Sequence, residues 1–203
     1  MCCPRAFMQR LILVKHSLPE IDPSVPAKEW VLSDEGRQRA RILGKRLGRY
    51  NLDRIFGSAE PKAMETAEIA SNYLNIPSEI VEGLHEHERG NVGFLEKERF
   101  EQSIRRFYKQ PSELAFGEET AESAHDRFSK AVRKLTDRCS RENVAIVTHG
   151  TVLSLFVSRN SELEPFALWK KLGLPSWVVL SRAHCDVVEI CTGIGDEESS
   201  GGG

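Results

Sequence analysis

Apolar residues in this chain fall into short continuous runs separated by longer stretches of helical spacing. Leu11-Ile12-Leu13-Val14 and Val144-Ala145-Ile146-Val147 are such runs, bounded by polar residues. Runs of this kind read as strands buried on both faces of a parallel sheet. The first spans Arg10 to Val14, and Arg54-Ile55-Phe56 and Ile80-Val81 make a second and a third. Between them the period changes. Ser33 is placed to N-cap a helix to about Arg49, with acids in its first turn and Ala40, Leu43 and Leu47 on one face. Pro61 opens another, with Ala63, Thr66, Ala67, Ile69 and Ala70 available for packing, and Pro77 ends that unit. Further helices are expected over about 96–110, over about 119–138, and from Val152 to a break at Pro165 and Pro175. Trp177–Leu180 and Val187–Ile190 read as a closing hairpin turning near Arg182-Ala183. Pro19, Pro23 and Pro26 mark the stretch after the first strand as a loop.

Strands alternating with helices predict an α/β fold: a three-layer α/β/α sandwich on a mostly parallel sheet with an antiparallel edge strand. A length of 203 residues without repeats or a mid-chain linker predicts one domain over 1–195, followed by a disordered acidic and Gly-rich tail at 196–203.

Composition excludes more than it identifies. A net charge of -2 gives no general attraction to nucleic acid or membrane. No apolar run reaches transmembrane length, and the N-terminus lacks a signal-peptide core. The five cysteines form no C-x-x-C pair or zinc spacing, which suits a reducing cytoplasm. Cys2-Cys3 reads as part of a disordered leader rather than an acylation site. Gly193-x-Gly195 does not lie between a strand and a helix, and no phosphate-binding Gly-Lys-Ser/Thr loop is present.

The candidate chemistry lies where the strands end. His16 follows the first strand and His149 follows Thr148. In open α/β sheets ligands bind beyond the carboxyl ends of strands. A neutral imidazole can attack phosphorus, and cations both depress its pKa and hold phosphoryl oxygens. Lys15 adjoins His16, and Lys62 stands at a helix start, where backbone N–H groups favour anions.

Taken in order, the motifs resemble the histidine phosphatase superfamily, the phosphoglycerate-mutase-like proteins. Lys15-His16-Ser17 stands in the slot of the family's Arg-His-Gly. Leu32 to Ala40 resembles its Leu-Thr/Ser-x-x-Gly-x-x-Gln/Arg-Ala helix start. Ser58 to Ala67 resembles Ser-x-x-x-Arg-Ala-x-x-Thr-Ala, with Lys62 for arginine. Leu84 to Gly90 resembles Leu-x-Glu-x-x-x-Gly, Gly117-Glu118 a Gly-Glu segment before a long helix, and Thr148-His149-Gly150 the closing Thr-His-Gly.

The resemblance implies that His16 becomes phosphorylated and that His149 stabilises the transferring group. It gives Glu86 the role of protonating the leaving oxygen and then activating water, and Lys15 and Lys62 that of clamping phosphate. Ser17 replaces the motif glycine and adds a hydroxyl that could reach a phosphate oxygen. Both family arginines are lysines here, and lysine offers one compact charge instead of a planar fork.

The expected activity is hydrolysis of a small phosphomonoester without metal or other cofactor. A mutase, or a weakly active or inactive phosphate-binding protein on the same fold, remains an alternative. Glu88 competes with Glu86 as the acid. His85 and His87 lack a third ligand at metal spacing. Phe100, Phe107, Tyr108 and Phe116 are read as core, in an excursion that, with the Pro19–Trp30 loop, is placed to roof the site and select substrate. The sequence names neither the substrate nor the oligomeric state.

Overall fold

The computed structural model describes residues 9–194. The Cys2-Cys3 leader and the 196–203 tail lie outside them. Among the described residues, six strands form one sheet: β1 (Arg10–Lys15), β2 (Arg54–Gly57), β3 (Ser78–Ile80), β4 (Val144–Thr148), β5 (Ser176–Ser181) and β6 (Val187–Cys191). Their order is β3-β2-β4-β1-β5-β6. The first four run parallel, whereas β5 is antiparallel to β1 and β6 to β5, so the closing hairpin supplies the antiparallel edge.

Alternation along the strands separates two cores. Leu11 and Leu13 face one side with Val144 and Ile146, whereas Ile12 and Val14 face the other with Ala145 and Val147. The second side is covered by α1 (Asp34–Leu47) and α2 (Pro61–Leu74) through Leu43, Leu47, Ala63, Ala67 and Ala70. The first is covered by α3 (Lys97–Lys109), α4 (Ala121–Arg138), α5 (Gly150–Arg159) and α6 (Pro165–Lys171). Three layers result, as the alternation of strands and helices predicts.

Local signals explain the boundaries. The Ser33 hydroxyl accepts from the Gly36 N–H at 3.0 Å and caps α1, and Thr120 accepts from Ser123 at 3.1 Å and caps α4. Four differences from the sequence reading stand out. The Pro165 break is instead the first turn of α6: Glu164 caps it by accepting from Phe166 and Ala167, and a proline loses nothing at that position. β3 starts at Ser78 rather than Ile80, because an exposed edge strand carries no apolar signature. The proline-rich loop contains a short 3-10 turn at Ala27–Glu29. α5 starts at Gly150, two residues earlier than its apolar pattern. Among the described residues, no helix is long and apolar enough to cross a membrane.

Candidate active site

Strand register brings the two histidines together. β1 and β4 are neighbours with Lys15 opposite Thr148, and the His16 N–H donates to the Thr148 carbonyl at 2.9 Å. The next residue on each strand is therefore a histidine at the same sheet edge. Their ring centroids lie 5.2 Å apart at 60°. Ser58 joins them from the end of β2, its N–H donating to the Val147 carbonyl at 2.9 Å.

His16 Nδ1 lies 2.7 Å from the Ser17 carbonyl, which can only accept. That contact puts the proton on Nδ1 and leaves the Nε2 lone pair free. Burial, then His149 and Lys62, hold this imidazole well below its ordinary pKa, so it is neutral at physiological pH. His149 is fully buried, with Nε2 2.9 Å from the Ser58 hydroxyl and Nδ1 without a partner among the described residues. Burial and the Lys62 charge depress its pKa strongly as well.

The cations are built into the walls. Lys15 Nζ donates to the Leu172 carbonyl at 2.7 Å, and burial pulls its pKa down to about 8 against the attraction of Glu86. Lys62 Nζ donates to the Ala27 carbonyl at 2.7 Å and to Glu60 at 2.5 Å, with both side chains nearly buried. Burial lowers the Lys62 pKa too, and Glu60 opposes the fall. The Ser17 N–H donates to the Thr66 hydroxyl at 3.0 Å. The Ser17 hydroxyl donates to the Gly36 carbonyl at 2.7 Å and is fully buried, which tethers the start of α1 instead of presenting the oxygen that the sequence offered for phosphate.

Glu86 reaches the same edge from the segment after β3. Oε2 accepts from the Thr151 N–H at 3.1 Å, and Oε1 from those of His87 at 2.9 Å and Val152 at 3.3 Å. Burial opposes its ionisation, but Arg89, His149 and the His87 N–H outweigh burial and hold the carboxyl below its usual pKa. Glu88 is exposed and pairs with His85 at 3.2 Å, outside this cluster. His87 is buried against Phe107, with centroids 4.1 Å apart. Among the described residues, no three His, Cys, Asp or Glu side chains are grouped to hold a metal ion.

Three contributors escaped the sequence reading. Glu60 accepts from the Glu86 N–H at 2.8 Å, lies 3.6 Å from His149 Nε2, and so links Lys62 to both. Arg127, on α4, donates to the carbonyls of Gly83, His85 and Glu86 and braces the segment that carries the carboxyl. Arg89 stands 4.0 Å from Glu86 Oε2. Arg89 and Glu60 both lay inside motifs already noted, but only the loop paths show where their side chains go. Phe107, Tyr108 and Phe116 are core as expected, whereas Phe100 is partly buried and lies under Arg89. Ala27, from the proline-rich loop, touches Lys62, so both excursions reach the site.

Known proteins resemble the chain in sequence and in fold. Residues 12–189 match the model of the histidine phosphatase superfamily (branch 1). Phosphoserine phosphatase 1 of Hydrogenobacter thermophilus is 27% identical over 150 residues, covering 70% of this chain and 71% of its own. An uncharacterized phosphatase, PhoE, of Bacillus subtilis is 27% identical over 163 residues, covering 78% and 80%. In fold, the chain resembles mycobacterial glucosyl-3-phosphoglycerate phosphatase, with a TM-score of 0.73 at 16% identity over 92% of this chain and 99% of that one. It is equally similar to Entamoeba histolytica phosphoserine phosphatase, solved with 3-phosphoglyceric acid, with a TM-score of 0.73 at 19% identity over 91% and 97%. The chain belongs to the histidine phosphatase superfamily, branch 1.

Proposed function

We propose that the protein hydrolyses a small phosphomonoester through a phosphohistidine on His16. The observation that carries this reading is the 2.7 Å contact from His16 Nδ1 to the Ser17 carbonyl, which leaves Nε2 with a free lone pair beside His149. In the first step His16 Nε2 bonds to phosphorus and the bond to the leaving oxygen breaks. Glu86 passes its proton to that oxygen, while Lys15 and Lys62 balance charge on the phosphoryl oxygens and the neutral His149 ring offers one of them an N–H. In the second step Glu86 takes a proton from water, the water oxygen attacks phosphorus, and the N–P bond breaks to return neutral His16 and free phosphate.

Glu86 is ionised in the free protein, whereas the first step needs it protonated. A phosphate dianion placed against it disfavours the carboxylate and raises its pKa. Binding of substrate therefore supplies the acid form.

The relatives' names support phosphoserine or a phosphoglycerate as the kind of substrate to try first. Cys139, Cys185 and Cys191 are free thiols among the described residues, which supports a cytoplasmic setting. Two cores flanking one shared sheet support a single working domain.

Product analysis tests the reading. Incubation with phosphoserine and with 3-phosphoglycerate releases free phosphate. Conversion of 3-phosphoglycerate to 2-phosphoglycerate without free phosphate would favour the mutase. Saturable phosphate binding without turnover of any phosphomonoester would favour a binding protein.

A further inference from the structure

We propose that Arg89 supplies the guanidinium fork that grips the phosphoryl oxygens, in place of the arginines that Lys15 and Lys62 replace. The inference rests on the phosphatase reading for its substrate, but it stands on separate observations.

The first is the state of the two lysines. Lys62 is already bonded to Glu60 and to the Ala27 carbonyl, so much of its charge is balanced before any anion arrives. Lys15 is bonded to the Leu172 carbonyl. Neither ammonium can hold two oxygens of one phosphate in a plane.

The second is the state of Arg89. Its Nη1 is buried and has no hydrogen-bond partner among the described residues. The carboxylate nearest to it, Glu86 Oε2, is 4.0 Å away, beyond hydrogen-bond reach, and is already taken by the Thr151 N–H. A buried N–H without an acceptor costs free energy, and an arriving phosphate oxygen would remove that cost.

The third is rigidity. The guanidinium carbon lies 5.1 Å from the centroid of the Phe100 ring, which packs against Phe116 at 6.1 Å and Trp169 at 5.9 Å. A cation resting on an aromatic ring loses little further freedom when it binds. Its position fits as well, since it stands 4.0 Å from Glu86, whose N–H donates to Glu60 at 2.8 Å, and Glu60 lies 3.6 Å from His149 Nε2. The fork has thus moved from the strand and helix ends to the loop that also carries the acid.

The test uses the full chain and inorganic phosphate, titrated calorimetrically, with p-nitrophenyl phosphate hydrolysis alongside. Arg89→Ala is expected to weaken phosphate binding at least tenfold. Arg89→Lys, which keeps the charge but not the fork, is expected to weaken it at least threefold. Should the alanine variant fail to fold, the lysine variant decides alone. Phosphate affinity within twofold of wild type in the folded variants would overturn the inference. So would a raised KM for the ester with phosphate affinity unchanged, because Arg89 would then meet the leaving group. Full turnover by His16→Ala would instead sink the phosphatase reading and leave the phosphate titration to judge Arg89 by itself.

Discussion

The Glu86 carboxylate accepts the Thr151 N–H at 3.1 Å, so the expected proton donor also caps the helix that follows His149. The expected acid and local stability are thus joined in one side chain. Glu86→Gln is therefore expected to lower kcat/KM, which ends at phosphorylation and leaves out the later work on water, by about 10²- to 10⁴-fold on an alkyl phosphate, the usual contribution of a positioned acid. On p-nitrophenyl phosphate, whose leaving group needs no proton, the loss is expected to be much smaller. The same variant gives up a charged partner at a helix N-terminus and is expected to lose about 1 kcal/mol in urea denaturation. Equal losses on both substrates would count against Glu86 as the acid.

Lys15 is expected to set an alkaline limit. Its ammonium is present below its pKa of about 8 and absent above it. The free enzyme's kcat/KM is therefore expected to fall as pH rises through about 8. Lys15→Arg, which does not titrate there, should remove that limb. A limb unmoved by the substitution would assign it to another group.

The same lysine moves stability the other way. Its folded pKa is below the ordinary 10.5, so between about 8 and 10.5 the unfolded chain holds more protons at this residue. Its contribution to stability therefore rises with pH across that window while activity falls. Denaturant midpoints for wild type and Lys15→Met, compared at both ends of the window, check the sign: the advantage of the methionine variant should shrink as pH rises.

His16 and His149 act at the acid end. Both are held neutral by burial, with pKa values well below 6.5. As pH falls through 6.5 the unfolded chain takes up protons that the folded protein refuses, so their contribution destabilises. His149→Gln should flatten that acid limb of the stability profile, measured by urea midpoints between pH 7 and 5. An unchanged limb would mean that other groups set it.

Much of this was legible beforehand because two periodicities did the work. β1 and β4 are apolar without interruption and end on histidines, so their shared sheet edge followed from general rules of parallel sheets. Lys62 was legible as a helix-start cation because Pro61 marks that start. α6 was not legible, since a proline signals a break or a helix start with equal force. Ser17, Glu60 and Arg89 were misjudged or passed over for one reason. Pattern locates a residue on an element, but the partner of a loop-borne or short polar side chain depends on tertiary contacts, such as the Gly36 carbonyl below Ser17.

The most direct measurement is rapid acid-free quench of the enzyme with a ³²P-labelled phosphomonoester, followed by peptide mapping. The account predicts a transient, acid-labile and alkali-stable label on the peptide carrying His16, and no label or turnover in His16→Ala. Full turnover in that variant, or a label found on another residue, would contradict it.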